Sequence, residues 1–233
     1  MKTSIKRRKG FTLVELLVVI AIIVALAGIA TPMLLKQQKK AASTQALSNA
    51  RQIGLALFDF DSDYSNFPDR TTADSVKEAT GSSLTLQGGT SNDYFRQLIA
   101  AGITTSEEIF FAKLPYTKKP DNVITGDKAL ADGEVGFGYL MNDQSGFSTT
   151  GNSARPIIAT PLLNASSDGT FDSDPFDQKA IVLRLDNSAV SYQINQNTKT
   201  VVLPGGKGLL STGEDTVWGT DVNPRIVAPS KKR

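Results

Sequence analysis

Aspartate is the residue type in this chain best suited to chemistry, and it occurs in two clusters. The clusters are Asp59, Asp61 and Asp63, and then Asp168, Asp172, Asp174 and Asp177. Calcium takes about six to eight oxygen ligands, and closely spaced carboxylates on a loop supply several of them. The first cluster has helical spacing that would splay its carboxylates, and Tyr64 stands where an EF-hand requires glycine. Both clusters are candidate calcium sites, with a solvated acidic loop as the alternative.

Composition excludes several kinds of catalytic site. The 233 residues include no cysteine and no histidine, which excludes disulfides, thiolate zinc sites, cysteine nucleophiles and imidazole mechanisms. The glycine-rich stretch 205–208 lacks the earlier glycine and the hydroxyl residue after Lys207 that a P-loop requires. The sequence therefore predicts a protein that is not an enzyme and that requires no cofactor, with calcium as the one candidate ligand.

Basic residues are concentrated at the two ends of the chain. Five of the 25 fall within the first ten positions, and three close the chain at 231–233. The segment between them carries more acidic than basic residues. This distribution predicts no nucleic-acid binding, because such binding depends on a basic surface.

Residues 11–35 form an apolar run, FTLVELLVVIAIIVALAGIATPMLL, whose single charged residue is Glu15. As a helix this run would be about 38 Å long, enough to cross a hydrocarbon core of about 30 Å. The basic cluster before it favours a cytoplasmic amino terminus. We therefore expect a single-pass membrane helix, with the rest of the chain outside the cytoplasm.

The junction before the run carries a specific motif, Lys9-Gly10-Phe11-Thr12-Leu13-Val14-Glu15. A short basic leader precedes Gly10, an aromatic residue follows it, and a glutamate stands at the fifth position after it. No small-residue cleavage pattern follows the run, as an ordinary secretory signal would require. The junction strongly resembles the leader of type IV prepilins and type II secretion pseudopilins, with a looser likeness to the major pseudopilin G.

The resemblance implies a processing and assembly pathway. Prepilin peptidase would cut between Gly10 and Phe11, remove the leader 1–10 and N-methylate the new amine of Phe11. The mature chain would form a helical homopolymer in the bacterial inner membrane and periplasm. Its other partners would be an inner-membrane platform, a cytoplasmic ATPase and minor pseudopilins. Major pseudopilins of the type II secretion family hold calcium in a head loop, so the resemblance makes the second aspartate cluster the better candidate calcium site.

Glu15 has two compatible interpretations. A carboxylate deep in a bilayer costs about 2.5–3.5 kcal/mol and normally has a partner. The resemblance supplies the amine of Phe11 on an adjacent subunit, which makes Glu15 the filament-assembly residue. Locally, Thr12 and Glu15 have the spacing of a capping box, and a carboxylate suits the positive end of a helix dipole.

Gly28 and Pro32 form a second feature of the run. The ring of Pro32 crowds the carbonyl of Gly28, so the pair predicts a kink or a loosened turn. This segment resembles the part of the helix in pilin-like filaments that loses its helical structure when subunits pack. A static kink in a membrane helix is the alternative.

The amphipathic segment 36–61 predicts a continuation of the same helix. Its apolar residues recur at intervals of three and four, giving one stripe of Ala46, Ala50, Ile53, Leu57 and Phe60. A membrane helix followed by a one-sided stripe is typical of a pilin-like α+β fold, in which a long helix packs on a small antiparallel sheet.

The remaining segment, 62–233, predicts a globular periplasmic head. Helices are expected near 74–79, at 93–102 with Ser91 or Asn92 as the cap, and at 107–113. Strands are expected at 136–141, 156–160 and 199–203, and in a hairpin at 179–195 that turns at Asn187-Ser188. From Pro204 onward, we expect an irregular segment ending in a flexible basic tail.

The leading hypothesis is a structural subunit of a type II secretion pseudopilus. The first alternative is a type IV pilin of a surface fibre for adhesion, motility or DNA uptake. Many such pilins close their carboxy-terminal region with a disulfide. This chain has no cysteine, so it cannot form one. A membrane-anchored binding protein or enzyme is a remote alternative.

Overall fold

The computed structural model describes residues 12–233, and these divide between two compact units, Met1–Gln38 and Lys39–Arg233. Helix α1 runs through both units from Leu13 to Tyr64, a length of 52 residues. It extends three residues beyond the predicted end at Asp61. Pro32 lies inside it without ending it.

The two halves of α1 differ in burial. Every residue from Thr12 to Gln38 is exposed. In the second half, the predicted stripe of Ala46, Ala50, Ile53, Leu57 and Phe60 is fully buried. The change follows from the sequence, because the first half is apolar all round while the second is apolar on one face only.

Two further helices belong to the head. Helix α2, Arg70–Thr80, is longer than the predicted 74–79 because Asp69 caps it and accepts bonds from the backbone N–H of Thr71 and Thr72. Helix α3, Ser91–Ala100, is capped at Thr90 rather than at Ser91 or Asn92. The helix expected at 107–113 is a single 3₁₀ turn, Glu108–Phe110, since the backbone at Phe111 is already extended.

A five-stranded antiparallel sheet completes the head, in the order β4-β3-β2-β1-β5. Its strands are β1 Gly138–Asn142, β2 Pro156–Thr160, β3 Lys179–Arg184, β4 Ala189–Gln193 and β5 Pro224–Val227. The first four form a meander, and β5 pairs with the free edge of β1. The long apolar helix and this sheet confirm the predicted pilin-like α+β fold.

The β3–β4 hairpin corrects the predicted two-residue turn at Asn187-Ser188. Arg184 N–H donates to the carbonyl of Ser188 at 3.0 Å, which leaves three loop residues, 185–187. Asn187 N–H donates back to the carbonyl of Arg184, and Asn187 has a φ of 61°. Asparagine tolerates this left-handed conformation, so the sequence selects a three-residue loop ending at Asn187.

The carboxy-terminal third differs from the prediction in two further places. Residues 199–203 make isolated bridges, Ile194 to Val201 and Val202 to Gly208, instead of a strand. The irregular segment predicted from Pro204 onward contains β5. After β5, Ser230 N–H donates to Asn92 Oδ1 and Lys232 N–H donates to the Tyr116 carbonyl, so the backbone stays bonded to the head.

Close approach between α1 and the β3–β4 hairpin depends on Gly54. A Cβ added there would lie 2.1 Å from Asn187 Oδ1 and 3.0 Å from Leu183 Cδ2. At this point of the α1–sheet contact, a larger side chain would therefore displace the side chains of Asn187 and Leu183.

We predict that Gly54→Val lowers the free energy of unfolding by about 1–3 kcal/mol, because it overpacks this contact. Leu55→Val is the matched control, since Leu55 is the next residue and is exposed. Denaturant unfolding of the two variants measures the difference. Equal stability of both variants would contradict the close packing at Gly54.

Candidate functional site

The amino-terminal end of α1 is closed by a reciprocal capping box. Thr12 N–H and Thr12 Oγ1 donate to Glu15 Oε2 at 2.9 and 2.7 Å, and Glu15 N–H donates to Thr12 Oγ1 at 3.2 Å. The capping box predicted for Thr12 and Glu15 is therefore confirmed. The carboxylate is satisfied within its own helix end and lies where the helix dipole favours negative charge.

The helix that follows exposes an uninterrupted apolar surface. Its large apolar side chains from Leu13 to Leu35 are 45% to 86% exposed. The helix contains an 18-residue window with a mean hydropathy of 3.0 and no buried residue, which is long and apolar enough to cross a membrane. Such a surface needs lipid or protein around it.

Four other predicted site residues lie in the amino-terminal part of the chain. Gly10 and Phe11, the predicted cleavage and methylation site, lie outside the described residues. Gly28 and Pro32 lie within α1, where a Cβ added at Gly28 would meet nothing within 4 Å. Their role as a kink stays a prediction.

The four aspartates of the predicted calcium loop differ in their hydrogen-bond and ion-pair partners. Asp168 Oδ1 accepts bonds from Thr170 N–H and Thr170 Oγ1, and these bonds lower its pKa. Asp172 Oδ1 accepts from the backbone N–H of Asp174, whose own carboxylate lies 2.6 Å from Lys39 Nζ. Asp177 is exposed. Calcium binding by this loop stays a prediction.

Three other carboxylates come together in the head. Glu107, Asp121 and Glu134 each offer an oxygen, and these oxygens all lie within 4.8 Å of one another. Within residues 12–233, these are the acidic side chains whose oxygens lie close enough together to bind one ion. We call it the α3–β1 acidic cluster, because all three residues lie between α3 and β1.

Burial makes this cluster electrostatically unusual. Glu107 and Glu134 are fully buried, and each has one oxygen bonded to a backbone N–H, from Leu130 at 2.6 Å and from Ala131 at 2.8 Å. Burial raises the pKa of Glu107, and the nearby charges of Glu134 and Asp121 raise it further. Glu107 Oε2 and Glu134 Oε1 have no hydrogen-bond partner.

The loop that carries the cluster is held by three polar side chains. Asn49 Nδ2, on α1, donates to the carbonyls of Glu108 and Phe111, both at 2.8 Å. Buried Asn92 donates to the carbonyls of Leu130 and Ala131 at 2.9 and 3.2 Å. Arg96 donates to the carbonyls of Ala129 and Leu130, and its guanidinium lies 2.5 Å from Asp93.

Sequence reasoning did not find this cluster. Its members are spread over residues 107–134, so no local spacing joins them. The only signal is Glu134 itself, a charge immediately before the apolar segment 135–141.

Comparison with known proteins identifies the amino-terminal region. Residues 5–31 match a family model described as the prokaryotic N-terminal methylation motif. No curated protein sequence and no solved structure matches the chain. The match and the apolar helix indicate a membrane-anchored, single-pass precursor with a type IV pilin-like amino-terminal motif, and this motif implies processing by prepilin peptidase and polymerisation.

We predict that Asn92→Ala lowers the free energy of unfolding by about 2–4 kcal/mol. The change leaves the carbonyls of Leu130 and Ala131 and the N–H of Ser230 without their partner in a buried region. Asn197→Ala is the control, because Asn197 is exposed and its side chain makes no hydrogen bond. Thermal unfolding measures both, and an unchanged midpoint for Asn92→Ala would contradict the role of Asn92 in holding this loop.

Proposed function

We propose that the chain is a pseudopilin. Cleavage between Gly10 and Phe11 and methylation of Phe11 produce a mature subunit that inserts its apolar helix in the inner membrane. Subunits then polymerise into a periplasmic type II secretion pseudopilus that drives protein export. The inner-membrane platform, the cytoplasmic ATPase and the minor pseudopilins are the partners that this role requires.

One observation carries the proposal. A methylation motif runs directly into an apolar segment, 13–35, whose sole charge, Glu15, lies in the first turn of α1 and is satisfied by Thr12. The capping box stabilises the helix end, but a carboxylate carried toward the centre of a bilayer costs about 2.5–3.5 kcal/mol and normally has a partner. A carboxylate that is capped in the monomer and then pairs with the Phe11 amine of a neighbour has a use in assembly.

The absence of cysteine favours a pseudopilus over a surface fibre. Many surface pilins that the junction resembles close their carboxy-terminal region with a disulfide. Here β5 pairs with β1, and the backbone of Ser230 and Lys232 bonds to the head. This arrangement fastens the end of the chain to the head without a disulfide.

Two single substitutions separate capping from subunit pairing. Thr12→Ala removes the cap and keeps the charge, at a cost of about 0.5–2 kcal/mol to the helix end. Glu15→Gln removes the charge and keeps a hydrogen-bonding side chain. We predict that Thr12→Ala still assembles, whereas Glu15→Gln loses sedimentable filament by about tenfold or more, since an unpaired buried amine remains.

The measurement is the filament fraction that sediments from cells expressing each variant. Equal membrane insertion and equal methylation of Phe11 in both variants are the controls. Full assembly of Glu15→Gln would contradict the pairing role. Equal loss in both variants would show that capping alone explains the requirement for Glu15.

A deletion strain distinguishes a pseudopilus from a surface fibre. We predict that deletion removes a set of proteins from the extracellular fraction and leaves surface fibres intact, because a periplasmic filament acts in export. Wild-type chain restores the extracellular set and Glu15→Gln does not. Loss of fibres with unchanged secretion would instead identify a surface pilin.

A further inference from the structure

The α3–β1 acidic cluster has the geometry of a cation site. Oxygens bound to one calcium ion at about 2.4 Å can be at most about 4.8 Å apart. The oxygens of Glu107, Asp121 and Glu134 already lie within that distance of one another. The three side chains therefore meet this distance requirement for sharing one ion.

Two buried oxygens in the cluster make no hydrogen bond. They are Glu107 Oε2 and Glu134 Oε1, and both are shielded from water. A buried acceptor without a hydrogen bond costs about 1–3 kcal/mol, and more when it is charged. Both atoms belong to residues of the group that converges.

Lys118 does not complete the cluster. Its Nζ lies 3.3 Å from Glu134 Oε1, but the geometry is not that of a hydrogen bond, and the side chain is 47% exposed. Three carboxylates and one ammonium leave two negative charges, which a divalent cation neutralises. Because Lys118 is long and half exposed, it can withdraw toward solvent when an ion takes the same oxygen.

The chemistry of the ligands selects calcium. All three donors are carboxylates, and the chain offers no imidazole or thiolate that a transition metal would prefer. Magnesium keeps several waters and requires octahedral geometry, whereas calcium sheds water more readily and accepts irregular oxygen cages. Two buried glutamates and one exposed aspartate form an irregular set of carboxylates, so they fit calcium better.

The surroundings hold the donors in place and leave a way in. Leu130 N–H and Ala131 N–H each fix one glutamate oxygen, and Asn92 holds the carbonyls of the same two residues. Asp121 is exposed, so the cluster is open to solvent on that side. A preformed set of donors with one solvent-accessible member is what a reversible ion site requires.

We propose that Glu107, Asp121 and Glu134 bind one calcium ion that fastens the loop between α3 and β1 to the body of the head. The site is separate from the aspartate loop at 168–177 and does not depend on the filament to which the protein belongs. Binding would stabilise the folded head by linkage, because the unfolded chain does not bring these three residues together.

Calorimetric titration of calcium chloride into chelator-treated full-length protein in detergent tests the proposal. We expect one saturable site per chain with a dissociation constant between about 10⁻⁵ and 10⁻³ M, and weaker uptake of magnesium. Glu107→Gln and Glu134→Gln should each weaken calcium binding by about tenfold or more. Glu108→Gln is the matched control, because Glu108 is the next residue and its half-exposed side chain lies outside the cluster.

Lys118→Met provides a test with the opposite sign. It removes no ligand and takes away the cation that competes for Glu134 Oε1, so calcium should bind several-fold more tightly. This variant keeps the proposal testable if a glutamate variant does not fold, which circular dichroism checks. Asp172→Asn with Asp174→Asn should leave uptake unchanged.

Three results would overturn the proposal. The first is no calcium uptake by the wild-type chain at up to about 10 mM, well above the range of such sites. The second is uptake that persists unchanged in both Glu107→Gln and Glu134→Gln. The third is uptake that is lost in the Asp172 and Asp174 double variant, which would place the ion in the aspartate loop.

Discussion

The apolar surface between Leu13 and Leu35 is the constraint on which the rest of the molecule depends. A helix satisfies its own backbone groups internally, so a membrane can take it up despite its polar peptide bonds. Its large apolar side chains are exposed. In the second half of the same helix, the apolar residues are confined to one face, the stripe between Ala46 and Phe60, and this face is buried in the head.

Glu15 is the one charged group on this surface. Its bonds to Thr12 place the charge at the positive end of the helix dipole, where a carboxylate is least costly. Those bonds are short-range and exchangeable, so a better cationic partner can replace them. An apolar helix with one such group combines non-directional burial with one directional contact, and a regular filament requires both.

Sequence patterns predicted what is periodic or local. The stripe on α1 and the strand at 156–160 follow from spacing, and the capping box follows from Thr12 and Glu15. What the sequence missed depends on distant partners. Strand β5 is four residues long and is defined by its pairing with β1. The loop of the α3–β1 acidic cluster is held by tertiary contacts such as that of Asn92 with Leu130, 38 positions away.

The central claim, that this chain is processed as a pilin-class subunit, is tested most directly by mass spectrometry of its amino-terminal peptide from native membranes. The account predicts a peptide that begins at Phe11 and carries one N-methyl group. A peptide that begins at Met1 and retains the basic cluster 6–9 would contradict it. Residues 11–35 would then be a plain membrane anchor.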